Sequence, residues 1–576
     1  MDSLPATIAE RVSVLGKRKN LIVPSAVRRR SLRYDLTTFT VALPILATAV
    51  FAGPQRLRAQ ASSSDSTRTP TQTQGTTSAA ALNSPALTVN VRLVILDVVV
   101  TDQAGKPVDG LTARDFQIFE DGKPQRIRSV ELPSAHILPP ATIAAGTSAV
   151  FDPAQPASFG RSPADILVLD QLNTHFADSS FARRSLHDYL ARQPALLPQP
   201  TTLLSVGDNR FKQLQPFTRD RDALLRALAS APTEYAWTLE VNGMADHGPI
   251  ERLDQPLRAL EEIAQSDARI PGRKNLIWVG GGFPSLDPES IDGDDLQEVK
   301  DTLQHVTDVL LDTRITLYAV DPTSLALGMT EITDASQMAF VLAAGDSLAS
   351  NSDPFNSSDD FDQLGPVTGG RVVRGRNDIA QQIASSVDLG NRFYTISYTP
   401  SSTSDAAAAY RKIRVVCLRP GLTATTRSGY YSGQTQQEKS AATAAYDLTT
   451  AAQGTIPLNG IRVTVEPDNS PNALPATYII HAGVANLTWK PRTDGSATAS
   501  VYIMAVSLNA KNQMLAHTLR GMTASAKPGA DLRDAARTAD FHFTAPPAPR
   551  STTLRFIVRD SATGRMGSVE LPLAKH

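Results

Sequence analysis

Between residues 164 and 390, short apolar runs alternate with segments whose apolar residues recur every three or four positions. Short apolar runs are typical of buried strands, and the longer spacing is typical of amphipathic helices. The strand candidates are Asp165–Leu169, Thr202–Val206, Asn275–Val279, Ile315–Val320 and Gly370–Val373. Strands that alternate with helices predict βαβ units, and therefore a Rossmann-like α/β domain with a mostly parallel sheet and helices on both faces.

The segments on either side of that domain have strand patterns. Residues 87–133 alternate apolar with polar positions and contain an Asp-Gly hairpin signal, and residues 391–432 alternate again. Each segment alone offers few strands, and a lone hairpin is barely stable. We therefore hypothesise that they are the first and second parts of one β module, with the α/β domain inserted between them. Residues 134–163, rich in Pro, Ala and Ser, are predicted to be a linker.

The C-terminal part of the chain is predicted to form a second β module. Residues 433–455 are rich in Gln, Ala and Thr, a composition that predicts another linker. Residues 456–576 contain short strand patterns between turn signals. Such spacing favours an antiparallel β-sandwich.

Residues 1–61 have the features of an export signal. Basic clusters precede an uncharged run over residues 36–52, and small residues follow it. That run is short for a membrane span and contains Pro44, so a cleaved signal peptide is favoured, while an N-terminal membrane anchor stays open. Residues 62–86, rich in Ser, Thr and Gln, are predicted to be a disordered linker. We expect an exported protein, in the periplasm, at the cell surface or secreted, with membrane contact only through this segment.

Composition narrows the classes of partner and chemistry. The net charge of −1 provides no basic field for a nucleic acid. Cys417 is the only cysteine, which excludes an intrachain disulfide and the common Cys/His zinc sites. The sequence contains neither a Gly-x-Ser-x-Gly elbow nor a His-Glu-x-x-His motif. These features favour a binding protein over an enzyme.

Asp170 is the first candidate site residue. It directly follows the apolar run Asp165–Leu169 and begins a loop that contains Leu172, Asn173 and Thr174. Open α/β sheets bind their ligands at the carboxyl ends of the strands. A carboxylate in this place therefore marks the expected binding face.

Several further motifs resemble those of the acidobacterial von Willebrand factor A-related proteins, over roughly residues 88 to 432. The motifs are Val98-Val99-Val100-Thr101-Asp102-x-x-Gly105-Lys106-Pro107-Val108-x-Gly110-Leu111, Asp115-Phe116-x-Ile118-Phe119-Glu120-Asp121-Gly122-Lys123-Pro124-Gln125, Leu169-Asp170-x-Leu172-Asn173-Thr174, Phe217-Thr218-x-Asp220, Gly272-Arg273-Lys274-Asn275-Leu276-Ile277, Thr368-Gly369-Gly370-Arg371 and Tyr398-Thr399-Pro400. The resemblance implies a von Willebrand factor type A (VWA) domain on an exported protein. It does not supply a biochemical activity.

The resemblance also implies a metal site, with Mg²⁺ or Mn²⁺ held by an aspartate and two hydroxyls of a first loop, a threonine of a second and an aspartate of a third. Asp170 and Thr174 fit the first loop, whereas Leu172 cannot coordinate an ion. Gly281 stands where the third-loop aspartate is expected. Two of five oxygen ligands hold Mg²⁺ poorly against its hydration shell, so we expect a degenerate site with no cofactor. Asn173 and Gly281 are expected on the ligand face.

The sequence therefore predicts an exported cell-envelope protein whose VWA-like domain mediates adhesion to an unidentified protein or surface polymer. Two alternatives stay open. The first is a periplasmic hydrolase that uses the crevice of the α/β domain. The second is a purely structural envelope component.

Overall fold

The structure is a computed structural model that describes residues 93–138, 151–207, 210–234, 249–282, 293–323, 364–401, 409–432, 440–471 and 474–573. The predicted export segment and the linker over 62–86 lie outside these residues. Within the described ranges, no helix combines the length and the apolar character that a membrane span requires.

The strands of the described chain are β1 Val94–Thr101, β2 Phe116–Glu120, β3 Lys123–Gln125, β4 Ile127–Glu131, β5 Ala164–Asp170, β6 Leu196–Gly207, β7 Arg210–Asp220, β8 Lys274–Val279, β9 Ile315–Val320, β10 Arg371–Val373, β11 Tyr394–Tyr398, β12 Ala409–Cys417, β13 Thr423–Thr425, β14 Gly429–Ser432, β15 Val463–Pro467, β16 Thr477–Gly483, β17 Lys490–Pro491, β18 Ala497–Leu508, β19 Met514–Ala526, β20 Thr538–Thr544, β21 Thr553–Asp560 and β22 Met566–Pro572. Its α-helices are α1 Phe176–Ala191, α2 Arg221–Ser230, α3 Pro249–Ser266, α4 Gly293–Asp312, α5 Leu364–Val367, α6 Ile379–Asn391 and α7 Ala441–Gln453.

The α/β domain has a six-stranded sheet in the order β10-β9-β8-β5-β6-β7. All five predicted strands are present and pair in parallel, and β7 adds an antiparallel edge to β6. Every residue of β5 and β8 is buried. This is the pattern of a parallel sheet that is covered on both faces.

The two faces of this sheet carry different helices. Ile166 and Val168 of β5 pack in one core with side chains of α3 and α4. Leu167 and Leu169 point to the other face and pack in a second core with side chains of α1, α2 and α6. Alternate residues of a strand face opposite sides, so one apolar run supplies both layers.

The two flanking β segments form one module, as our insertion hypothesis requires. Its sheets have the orders β13-β1-β11-β4 and β14-β12-β2-β3. Val94 of β1 is opposite Tyr398 of β11, and Phe116 of β2 is opposite Cys417 of β12, both in antiparallel pairs. Each sheet therefore combines strands from before and after the α/β domain.

The structure corrects both predicted linkers. Residues 433–439 lie outside the described residues, but α7 follows them, and its residues 444–452 are all buried. The hydroxyl of Ser440 accepts from the N–H of Thr443 and caps this helix. A composition rich in Ala and Thr resembles a tether, yet Ala is the strongest helix former and its small side chain allows close packing. In the linker predicted over 134–163, Phe159 is fully buried in the α/β core.

The C-terminal residues form two antiparallel sheets. One has the order β15-β16-β20, and the other has the order β17-β18-β21-β22, with β19 also paired to β18. Side chains of both sheets share one apolar core, including Ile480 and Phe543 from the first sheet and Ile503 and Phe556 from the second. The two antiparallel sheets therefore share a common core.

Candidate functional site

The Asp170 carboxylate lies at the carboxyl end of β5 and is fully buried. Its Oδ1 accepts from the backbone N–H groups of Leu172 at 2.8 Å and Asn173 at 3.1 Å. Its Oδ2 accepts from the Trp278 indole N–H at 3.0 Å and from the Gly282 N–H at 3.1 Å. Each oxygen therefore accepts two protein donors. Asp170 bonds loop amides, which is the structural role that competes with metal binding.

The glycine loop after β8 packs directly against the loop after β5. The Gly281 N–H donates to the Thr174 hydroxyl at 2.7 Å, and the Asn173 side-chain amide donates to the Gly282 carbonyl at 3.0 Å. A Cβ on Gly280 would lie 2.3 Å from the Asp170 Cβ, and one on Gly281 would lie 2.1 Å from the Asn173 carbonyl oxygen. The two loops can approach this closely only because residues 280 and 281 lack side chains.

These residues do not fit the magnesium site that the family resemblance implies. Three of the predicted site residues, Asp170, Thr174 and Gly281, come together, but N–H groups point at the oxygens that an ion would need. Leu172 is buried in the apolar core, away from any ligand role. An octahedral Mg²⁺ needs oxygen ligands turned toward a common centre. Here the same oxygens hold two loops together.

Burial raises the pKa of the Asp170 carboxyl, and the hydrogen bonds from Trp278 and the three backbone amides offset part of that shift. Desolvation disfavours the charged form, whereas donors to a carboxylate favour it. The four hydrogen bonds therefore offset part of the desolvation cost of the buried Asp170 carboxylate at this edge of the sheet.

A shallow crevice lies beside the glycine loop, where β8, β9 and β10 end. It is small, and Gly280, Gly281, Gly282, Asp321 and Arg374 are among its lining residues. The Arg374 Nε lies 3.6 Å from Oδ2 of Asp321, and the Arg374 side chain is 45% exposed. The exposed Arg374 cation and the mostly buried Asp321 anion thus lie next to the backbone of the glycine loop.

Asp321 and Arg374 are site residues that our sequence reasoning missed. Asp321 directly follows β9, and Asp170 is the last residue of β5. The same signal, a carboxylate after an apolar strand, could have identified it. Burial raises the pKa of Asp178 in the first turn of α1, and the Asp321 charge adds to this shift. Asp321 therefore acts electrostatically on the same edge of the sheet.

A second polar cluster lies far from that edge, where α3, α4 and α7 meet. Glu261, His305 and Asp447 are all buried there, and one possible ligand atom from each lies within 4.8 Å of the others. The Arg559 guanidinium, from β21, contacts Oδ2 of Asp447 at 2.6 to 2.7 Å. No spacing motif signals this cluster in the sequence, because its members come from four separate elements.

Comparison with known proteins gives only weak structural likenesses. No protein-family model and no curated protein matches the chain. It is similar to proximal thread matrix protein 1 from the mussel byssus, at 11% identity over 28% of this chain and 37% of that one, with a TM-score of 0.19. It is also similar to the VWA domain of SpRpn10, at 15% identity over 28% of this chain and 74% of that one, with a TM-score of 0.17.

A third likeness is to an endonuclease/exonuclease/phosphatase from Beutenbergia cavernae DSM 12333, at 12% identity over 32% of this chain and 39% of that one, with a TM-score of 0.10. The matches thus span 37% of the mussel protein and 39% of the Beutenbergia protein. Likenesses at these scores carry no functional argument. The chain is a mixed α/β protein with several sheets and a weak likeness to a VWA domain.

Proposed function

We propose that this chain is an exported cell-envelope protein with a VWA-like domain, and that this domain binds a protein or surface polymer at the carboxyl edge of its parallel sheet. The main support is the crevice between the glycine loop and the Asp321–Arg374 pair. Ligands of open α/β sheets bind at this edge. One cation and one anion suit a ligand with polar groups of both signs.

In this proposal, recognition does not depend on a metal ion. The four N–H donors to Asp170 fix the loop after β5 without a cation. The glycine loop is in turn fixed by Thr174 and Asn173. Loops that are already ordered before binding lose little conformational entropy when they bind a partner.

The hydrolase alternative receives less support from the same geometry. Asp170 is the carboxylate that such an enzyme would use, yet it is fully buried and each of its oxygens accepts two N–H groups. A general base must lie within hydrogen-bond reach of the substrate proton. Hydrolysis of generic esters that Asp170→Ala abolishes would favour the enzyme. A chain that binds nothing and turns over nothing would favour a purely structural component.

The binding proposal can be tested by capture from an envelope extract on the immobilised full chain, with and without EDTA. Bound proteins and polysaccharides are quantified by mass spectrometry and sugar analysis. Arg374→Ala removes the crevice cation, and Arg376→Ala removes a nearby exposed arginine that pairs with Asp378 outside the crevice lining. We expect Arg374→Ala to lower capture, with no effect of Arg376→Ala or EDTA. Equal capture by all three chains would contradict binding at this crevice.

A further inference from the structure

The cluster of Glu261, His305 and Asp447 lies between the α/β domain and the C-terminal sheets. Glu261 is on α3, His305 on α4 and Asp447 on α7. His305 Nε2 lies 2.6 Å from Oδ1 of Asp447 and 4.0 Å from Oε1 of Glu261. The side chains of Glu261 and Asp447 are fully buried, and that of His305 is 5% exposed.

Glu261 has an unusual environment for a buried carboxyl group. Among the residues that the structure describes, neither of its oxygens accepts a hydrogen bond, and His305 Nδ1 has no partner. The Glu261 carboxyl group is within hydrogen-bonding reach of the Asp447 carboxylate. Burial, and then the nearby Asp447 carboxylate, raise the pKa of Glu261 well above its ordinary value. The charges of Arg258 and Arg559 offset only part of this shift. Buried polar groups as a rule have a hydrogen-bond partner or bind a metal ion, so this carboxyl group is a candidate ligand.

The pKa of Asp447 is shifted in the opposite direction from that of Glu261. Burial raises its pKa, but the charges of His305 and Arg559 outweigh burial and hold the pKa of Asp447 below its ordinary value. Arg559 contacts Oδ2, whereas Oδ1 faces His305. The cluster therefore brings a carboxylate oxygen of Asp447, an imidazole nitrogen of His305 and a carboxyl oxygen of Glu261 within 4.8 Å of one another.

We propose that Glu261, His305 and Asp447 bind a divalent transition-metal ion, best matched by Zn²⁺, at a buried three-ligand site that joins the α/β domain to the C-terminal sheets. One imidazole with two carboxylates is a donor set that zinc accepts, with ligand distances of about 2.0 to 2.2 Å. Atoms around a tetrahedral ion at those distances are about 3.4 Å apart. The observed separations of 2.6 and 4.0 Å lie on either side of that value.

Arg559 has an outer role in this site. It binds the Asp447 oxygen that faces away from His305, so it orients the carboxylate and leaves Oδ1 for the ion. Groups that hydrogen-bond metal ligands commonly fix them in this way. Because Arg559 belongs to β21 and Asp447 to α7, the ion would link elements of both parts of the chain. This proposal is independent of binding at the crevice.

The test uses the full chain, stripped of metal with a chelator and titrated with Zn²⁺ against a chromophoric competitor. Plasma mass spectrometry then gives the stoichiometry, and Co²⁺ substitution gives a visible spectrum. We expect one ion per chain and a higher thermal unfolding temperature with Zn²⁺. Glu261→Gln and His305→Gln should each weaken binding about 100-fold or more.

His481→Gln is the matched control, because His481 lies near Asp540 and Glu466 on the exposed C-terminal sheet. It should leave the affinity unchanged, and so should Asp170→Asn, which separates this site from the crevice edge. If the cluster variants fail to fold, X-ray absorption of the wild-type complex decides the question. One nitrogen among oxygen ligands supports the proposal, and an all-oxygen set overturns it. A wild-type chain that binds no Zn²⁺, or cluster variants that bind it as tightly, would also overturn it.

Discussion

The indole nitrogen of Trp278 donates to Oδ2 of Asp170 at 3.0 Å, across the neighbouring parallel strands β8 and β5. Both residues are fully buried. The hydrogen bond fixes the orientation of the carboxylate from within the sheet, and the loop amides then fold around it. The binding edge is thus organised from the core outward.

Asp170→Asn should destabilise the protein by about 2 kcal/mol, because either orientation of the amide places its NH₂ group against two N–H donors. Urea unfolding of the two proteins at neutral pH measures the difference. Asp188→Asn is the control, since Asp188 is exposed and forms an ion pair with the neighbouring His187. Asp188→Asn should change the free energy of unfolding by no more than about 0.5 kcal/mol. Stabilisation of the wild-type protein by added Mg²⁺ would contradict the metal-free geometry.

Gly281→Asp, which supplies the carboxylate that the family resemblance expects, should destabilise the protein without creating an Mg²⁺ site. Its Cβ would lie 2.1 Å from the Asn173 carbonyl oxygen, so the two loops would have to separate. Gly282→Asp is the matched control, because nothing lies within 4 Å of a Cβ there and only the positive φ of 74° is unfavourable. We expect the control to lower the free energy of unfolding by about 1 kcal/mol and Gly281→Asp to lower it by more. Thermal unfolding and Mg²⁺ calorimetry measure both effects.

Glu262 should make stability fall as pH rises toward neutrality. Burial raises its pKa from 4.5 to about 7 in the folded protein. Its stabilising contribution is therefore fully present below pH 4.5 and is lost as pH rises through about 7. The shift corresponds to about 3 kcal/mol.

Glu262→Gln should flatten this part of the pH profile. The carboxylate Oε1 accepts from the backbone N–H groups of Thr455 and Ile456, and a glutamine oxygen can accept the same bonds. Denaturant unfolding at pH 5 and pH 8 gives the comparison. A variant with the same pH slope as the wild-type protein would show that Glu262 is not the responsible group.

Tyr398→Phe should destabilise the β module by about 1 to 2 kcal/mol. The Tyr398 hydroxyl donates to the buried Glu120 carboxylate at 2.6 Å, and the Tyr430 hydroxyl donates to the same oxygen at 3.1 Å. The double variant with Tyr430→Phe should lose more than the sum of the single losses, since Glu120 then lacks both tyrosine donors. Strictly additive losses in urea unfolding would show that the two hydroxyls act independently.

The parallel strands of the α/β domain were predictable because each contains a short apolar run, a pattern that burial on both faces favours. Helix α1 was missed because its buried face includes Ser179 and Ser185 among the apolar residues. Helix α7 was missed because a run of Ala and Thr looks like a tether until a packing partner is known. In both cases the helix is stabilised by small side chains against a neighbour rather than by a visible apolar stripe.

The residues of the candidate sites also divide into those that the sequence could predict and those that it could not. Asp170 was found because it ends a recognisable apolar strand, whereas Thr174 and Gly281 were found through the family resemblance. The detail that decides their role is the donor from Trp278, whose position depends on strand order in the sheet. His305 and Asp447 are 142 positions apart in the chain, so only the packing of α4 against α7 brings them together.

The interleaved β module has a consequence for how the chain is made. The hydrogen bond from Thr395 to Asp97 joins residues 298 positions apart, with the whole α/β domain between them. During synthesis β1 and β2 leave the ribosome before their partner strands β11 and β12 have been translated. Contacts this distant form slowly, and unpaired strand edges invite aggregation. A nascent chain that stalls before residue 394 would leave the edges of its first strands unpaired and prone to aggregation, even if the α/β domain had folded.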